Sequence, residues 1–451
     1  MDRRGFIKKS AIGTAGVTLG VNTLFSACNG ANDRIVLALV GCGGRGLWTI
    51  INCCKINQNV TIKTVCDVNR TKLANAAVSV EKELGYLPSK TENYPDILED
   101  KEIDAVWVAT PEHWHALAAI MACQAGKDVY VEKNPTVNIW EGRKMIEAAA
   151  KYKRIVQVGF QNRSAPYGFT ARDYIATGKL GKLVTVKSYN MLGGGKWNPV
   201  PDAPVPAWID WDKWLGPATF RPFNPNIVSE NDRGGWLDFW SFGGGALSDD
   251  ASHVMDLARL VIGDPGHPKS VYAWGGNNAF GSQKETPEYL SIVYDFGDFT
   301  MTCDSGNATN YMSKTPGDIR MDITRFPDWR YNATRTEIYG TEGLMYLGRH
   351  GGGWQVLGKN GEIVASDGGV FPDKEHQLNF IECLRSRKKP NGDVLQGQLS
   401  ASLIHLANIA YRLGNRQLNF DGETEKFTNS DEANILARGT YREGYVIPEK
   451  V

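Results

Sequence analysis

The feature that most constrains this chain is a glycine turn set between a strand and a helix. Arg34–Val40 (RIVLALV) is an unbroken apolar run, the pattern of a strand buried on both faces of a parallel sheet. GCGGRG follows at once, with Gly41, Gly43 and Gly46 in GxGxxG order, and a helix-like stretch then runs to Cys54. Glycine permits the tight turn and lets the backbone approach an anion, toward which the helix start turns its free N–H groups. A second strand, Val60–Cys66, ends at Asp67, 21 residues after Gly46. A carboxylate there suits both hydroxyls of an adenosine ribose and repels the 2′-phosphate of NADP. The sequence therefore predicts a dinucleotide cradle of Gly41, Gly43, Gly44, Arg45, Gly46 and Asp67. NAD is the expected cofactor, with NADP as the alternative because Arg70 lies close by. The bland reading is a glycine-rich turn beside a surface aspartate.

The units that follow keep alternating. Asn69–Leu84, Ala116–Ala125 and Ile139–Lys151 read as helices; Ile103–Ala109, Asp128–Val131 and Ile155–Gly159 read as strands. Strict alternation predicts a doubly wound α/β domain over residues 33–160. Two motifs fall at the carboxyl ends of its strands, the edge where such sheets bind ligands. One is Thr110-Pro111-Glu112-His113-Trp114-His115, read as a loop over the cofactor; the other is Glu132-Lys133. Thr110, Pro111, His115 and Glu132 are expected beside the cofactor. His113 and His115 with Glu112 have ligand chemistry, yet no CxxC, HExxH or acidic cluster accompanies them, so no metal is expected. Lys133 is placed to point its ammonium into the cleft; a solvated surface lysine is the alternative.

From residue 161 to 451 the pattern changes. Strand-like stretches recur within 182–191, 269–303, 335–347 and 353–366, around a Pro/Trp/Gly-rich region from 193 to 245. Two amphipathic helices fill 374–414. This predicts an α+β domain on a large, mostly antiparallel open sheet. Inside it, three glycines (Gly243 to Gly245) precede a helical segment, Ser248–Ile262, that carries Asp249 and His253. Four residues apart on a helix, they share one face, so the carboxylate can orient the imidazole. A capping aspartate and a core histidine fit the same spacing.

Residues 1–32 read as a signal rather than as fold: a charged start, a short apolar run from Ala11 to Leu24, then small residues. Arg3-Arg4-Gly5-Phe6-Ile7-Lys8 resembles a twin-arginine export signal, and Phe25-Ser26-Ala27-Cys28 resembles a lipobox with Phe in place of Leu. These predict an exported bacterial protein, periplasmic or anchored by a lipid on Cys28. Fifty basic and fifty acidic side chains cancel, which leaves no electrostatic footprint for nucleic acid.

Taken in order, GCGGRG, Asp67, TPEHWH, Glu132-Lys133, GFQNR (Gly159 to Arg163), GGG with Asp249 and His253, and HLANIAYRLG (His405 to Gly414) resemble the glucose–fructose oxidoreductase/inositol dehydrogenase (Gfo/Idh/MocA) family. Asn134 follows Lys133 where that family usually has proline. The resemblance implies a Rossmann domain followed by an α+β domain, and a homo-oligomer, dimer or tetramer. It implies Lys133, Asp249 and His253 as the catalytic set, acting on a secondary hydroxyl of a sugar, glycoside or cyclitol. His253 would take the hydroxyl proton, Lys133 would stabilise the developing alkoxide, and Asp249 would orient His253. Asn162, Arg163 and Trp236 are the expected substrate contacts, although Trp236 also suits core packing. Two other readings share the fold: an NAD-dependent glycosidase working through transient oxidation at carbon-3, and a non-catalytic sugar-binding relative. An exported oxidoreductase meets little free NAD, so this one is expected to keep its cofactor bound and recycle it.

Overall fold

The computed structural model describes residues 34–232 and 234–451. The export-signal reading, with Arg3, Arg4 and Cys28, lies outside the described residues. Six strands form the first sheet: β1 (Ile35–Val40), β2 (Val60–Cys66), β3 (Ser89–Thr91), β4 (Ala105–Val108), β5 (Asp128–Val131) and β6 (Val156–Val158). All pair in parallel, in the order β3-β2-β1-β4-β5-β6.

The apolar run of β1 explains its place at the centre. Successive side chains point to opposite faces. Ile35, Leu37 and Leu39 enter one core, beneath helices Gly44–Ile56 and Arg70–Leu84. Val36, Ala38 and Val40 enter the other, beneath helices Glu112–Gln124 and Ile139–Tyr152. All six are buried, and each large aliphatic side chain so placed contributes roughly 1.5–3 kcal/mol. The late helix Asp373–Ser386 returns to this domain and adds Phe380, Ile381, Cys383 and Leu384 to the first core. The strand order reverses between β1 and β4, which opens a crevice at their carboxyl ends. The glycine turn and Thr110 stand on its two sides.

Ten strands form the second sheet: β7 (Leu183–Met191), β8 (Ser270–Gly276), β9 (Tyr289–Asp295), β10 (Thr300–Gly306), β11 (Arg335–Gly340), β12 (Leu344–Gly348), β13 (Trp354–Leu357), β14 (Ile363–Asp367), β15 (Leu418–Asp421) and β16 (Lys426–Phe427). Their order is β14-β13-β12-β11-β7-β10-β9-β8-β15-β16. Only β7 and β10 pair in parallel. Helices Ser252–Val261 and Val394–Arg412 pack on one face. The other face is open, with Tyr272, Trp274 and Val293 exposed.

Two local differences from the sequence reading matter for the site. TPEHWH is not a loop: the helix begins at Glu112, with Pro111 as its N-cap, which buries both histidines. And Leu247–Ala251 is an irregular, wide turn in which Asp249 leaves helical geometry (φ −77, ψ −111), so regular helix begins only at Ser252.

Candidate functional site

The glycines of the turn divide into two roles. Gly41 takes φ +91, and a Cβ there would lie 2.6 Å from the backbone of Ala109 and Thr110. A Cβ on Gly46 would lie 2.5 Å from the Ala109 Cβ. These two let the turn and its helix press against the end of β4. Gly43 and Gly44 are the opposite case: a Cβ on either meets nothing within 4 Å, and both line a large cavity. Their open side meets the helix N-terminus, which offers unpaired N–H groups to a pyrophosphate.

Asp67 sits at the tip of β2 on the same cavity. Its Oδ2 accepts from the Cys42 N–H at 2.7 Å and its Oδ1 from the Asn69 N–H at 2.8 Å. Burial pushes its carboxyl above the usual aspartate range, and these N–H donors hold it back. Thr110, Pro111, His115 and Glu132 also line the cavity. His115 has the Thr110 carbonyl 2.7 Å from its Nε2 and the Asn134 carbonyl beside its Nδ1, and the single N–H of its neutral ring is donated to one of the two. Glu132 accepts from Arg45 Nε at 3.2 Å, and Arg45 also pairs with Asp373 at 2.7 Å. His113 instead turns to the Trp214 carbonyl, 2.9 Å from its Nε2. An open glycine cradle at a helix start, with a carboxylate at the next strand tip, fits the pyrophosphate and ribose of NAD.

The cavity holds about 1620 Å³, more than the roughly 300–1,000 Å³ of a single small-molecule site. Its far end brings the two domains together. Lys133, at the end of β5, donates from Nζ to the Asp249 Oδ1 at 3.0 Å, the Asp249 carbonyl at 3.0 Å and the Ser248 carbonyl at 3.2 Å. The Lys133–Asn134 peptide is cis, and the Asn134 side chain donates to the Ser248 carbonyl at 2.8 Å. His253, on the facing helix, lines the cavity and is 5% exposed. Burial, then the charges of Arg349, Lys133 and Arg45, push its pKa well below the ordinary imidazole range, so it stays neutral and able to accept a proton. Behind Lys133, the buried Glu112 carboxyl is pushed up to about 7 by desolvation, and it accepts from Ser248 Oγ.

Three expectations need correction. Asp249 does not bond the His253 Nδ1, which has no partner among the described residues. The irregular turn breaks the four-residue spacing, and the carboxylate pairs with Lys133 instead. Asn162 and Arg163 are each 1% exposed and do not line the cavity. The Asn162 amide donates to Tyr167 Oη and the Arg349 carbonyl. Arg163 is locked between Asp256 at 2.7 Å and Asp264 at 2.9 Å. Breaking a buried pair leaves an uncompensated charge, so Arg163→Met should destabilise the protein by about 3–5 kcal/mol, read by denaturant unfolding. Unchanged stability would show the pair to be idle.

Trp236 does line the cavity. Beside it stand residues that the sequence did not single out for the site: Gln161 rather than its neighbours, Lys72, Asp250, Lys314, Arg349 and His350. Lys72 carried a readable signal, a cation in the first helical turn after Asp67. The others carried none.

The comparisons agree with this geometry. Residues 35–160 match the NAD-binding Rossmann-fold domain of the Gfo/Idh/MocA oxidoreductase family, and residues 183–307 and 363–447 match its C-terminal alpha/beta domain. Levoglucosan dehydrogenase of Pseudarthrobacter phenanthrenivorans is 28% identical over 63% of this chain and 64% of its own length, so the match leaves over a third of that relative unspanned. The scyllo-inositol 2-dehydrogenase (NAD(+)) of Bacillus subtilis is 25% identical over 79% of this chain and 88% of its own. Among solved structures, the WlbA dehydrogenase of Bordetella pertussis, in complex with NADH and UDP-GlcNAcA, superposes with a TM-score of 0.61 at 19% identity, over 86% of this chain and 98% of that one. With both domains matched across most of its length, the chain belongs to the Gfo/Idh/MocA oxidoreductase family.

Proposed function

We propose that this protein moves a hydride between a retained NAD and a secondary hydroxyl of a sugar, glycoside or cyclitol. The observation that carries the reading is the meeting, in one cavity, of the glycine cradle, the Lys133 ammonium and a neutral, buried His253. The nicotinamide, when bound, supplies the hydride acceptor. His253 takes the hydroxyl proton as general base, its neutrality secured by burial and neighbouring cations. Lys133 donates to the substrate oxygen as negative charge grows there. Asp249 holds the lysine in place. Trp236 offers an aromatic face to the sugar ring.

Retention of the cofactor is supported by a strap across its adenosine end. The Pro/Trp/Gly-rich region has its own aromatic core, which includes Trp211, Trp214, Phe239 and Phe242. It docks on the loop after β2: the Arg70 N–H donates to the Trp208 carbonyl at 2.8 Å, Asn69 Nδ2 to the Glu230 carbonyl at 3.0 Å, and Lys72 Nζ to the Asp232 carbonyl at 2.7 Å. On the other side, Tyr445 packs edge-on to Trp114, and both line the cavity. Such a closure suits an exported, periplasmic or lipid-anchored enzyme that carries its nucleotide with it. The open face of the large sheet, with Tyr272, Trp274 and Val293, is the surface we assign to contacts between copies.

Denaturing the purified protein and identifying the released nucleotide by mass tests the reading. About one NAD or NADH per chain is expected, and its reduced form should appear when a polyol is added. Protein that is purified empty, and that turns over only with added NAD, overturns the retention.

A further inference from the structure

We propose that the wall of the cavity beside His253 receives a negatively charged group of the substrate, so that the preferred substrates are anionic sugars, uronates or sugar phosphates, rather than neutral ones. This rests on the reading of the cavity as a sugar site and adds the chemical class of its ligand.

Arg349 carries the argument. It follows β12, lines the cavity and is 4% exposed. Its guanidinium lies over the Phe371 ring, 5.0 Å from the centroid. Its Nε and Nη1 meet no acceptor among the described residues. The carboxylate nearest to it is Asp250, whose Oδ1 is 3.7 Å from Nη2, beyond hydrogen-bond distance. Asp250 is moreover already paired with Lys314. One carboxylate therefore faces two cations. His350, 3.8 Å away from Asp250, adds no charge of its own, since burial and Arg349 keep its ring neutral.

The surplus is local. Elsewhere on the wall, Lys133 is matched by Asp249, and Arg45 by Glu132 and Asp373. At this end Arg320 also lines the cavity, and its Nε meets no acceptor. Buried arginine donors are rarely left unmade, and the planar guanidinium fork matches the oxygens of a carboxylate or phosphate. A neutral sugar hydroxyl leaves the charge uncompensated; an anionic group supplies what the wall lacks. The same group would act on the chemistry. Of the charges around His253, that of Arg349 weighs most against its protonation. An anion docked there offsets that field as the imidazole takes up its proton.

Calorimetric titration of the nucleotide-loaded protein decides the matter without turnover. The probes are matched pairs: glucuronate against glucose, galacturonate against galactose, glucose 6-phosphate against glucose, and inorganic phosphate alone. At least one charged sugar should bind about tenfold or more tightly than its neutral partner, the scale of one charge-assisted pair, with affinity falling as salt rises. Arg349→Met should erase most of that preference. Lys314→Gln, on a more exposed side chain, should reduce it a few-fold and serves if the arginine variant fails to fold. A sugar phosphate that outbinds the uronates supports the proposal and assigns the group as phosphate. Neutral sugars binding as tightly as charged ones, absence of binding by any charged sugar, inorganic phosphate binding as well as the sugar phosphate, or a preference untouched by both variants, overturns it. The hydride-transfer reading falls separately, when no polyol reduces the bound nucleotide.

Discussion

Lys133→Met is expected to abolish hydride transfer while leaving the bound nucleotide in place. The wild-type ammonium uses all three of its donors, at 3.0, 3.0 and 3.2 Å, on acceptors from the facing domain. Those distances exceed the 2.7–2.9 Å usual for charge-assisted bonds, so a substrate oxygen can replace one of them at little cost. That oxygen gains negative charge only as the hydride leaves, and the lysine is worth most at that moment. Methionine keeps the length and apolar stem and removes the donors. Removing one such donor typically costs 10²–10³ in rate, and Lys133 also fixes the substrate's position, so a loss of about 10³-fold is expected. The glycine cradle and Asp67 are untouched, so nucleotide content should match wild type. Single-turnover reduction of the bound cofactor and nucleotide release on denaturation separate the two effects. Turnover within a few-fold of wild type would remove Lys133 from the mechanism.

What the sequence revealed and what it hid follow from the range of the interactions. A parallel strand buried on both faces must be apolar at every position, so β1 and the turn after it announce themselves within a dozen residues. The places of Lys133 and His253 on the cavity wall were legible because each sits in a short motif at the end of an element. The partner of Asp249 was not. Four-residue spacing implies a shared face only in regular helix, and the turn at Leu247–Ala251 is irregular. Arg163 looked like a substrate contact because it lies in a family motif. Its true partners, Asp256 and Asp264, are 93 and 101 residues away, and only the fold brings them there. Gln161, two positions earlier, faces the cavity instead. The strap between 193 and 245 was visible as irregular chain, but nothing in its composition says that it docks beside Asp67. Arg349 was silent for the same reason: its meaning lies in burial and in absent acceptors.

Stability is expected to fall steeply as the pH drops below about 6.5. Six histidines, His113, His115, His253, His350, His376 and His405, are buried and have their pKa values pushed down by desolvation. His113 and His405 reach about 3, and His115 and His376 about 4. In the unfolded chain each titrates near 6.5. Below that pH the unfolded state binds protons that the native state refuses, so the stabilisation present at neutral pH is lost as pH falls toward the native values. Glu112 and Glu141 act in the opposite sense. Burial pushes both up to about 7, so between roughly 4.5 and 7 the native state binds their protons more readily, and their contribution improves on acidification. Burial also raises Asp67 and Asp256, which act in the same sense as the two glutamates, and the six imidazoles outweigh these four carboxyls. At up to ~1.4 kcal/mol per proton per pH unit, the surplus amounts to roughly 5 kcal/mol or more between pH 7 and 5. For a chain of this length that corresponds to a fall in Tm of about 5 °C or more, measurable by scanning calorimetry. His405→Gln isolates one contributor. Its Nε2 is bonded to Thr136 Oγ1 at 2.9 Å, and it is not part of the cavity wall, so the substitution should flatten the profile by about one proton without disturbing the site. Glu112→Gln should do the reverse, steepening the profile, because a neutral amide gains stability at pH 7 that the native carboxylate lacks. A Tm that is level from pH 7 to 5, or variants that shift it without changing its slope, would mean that the buried imidazoles take up protons as freely as exposed ones.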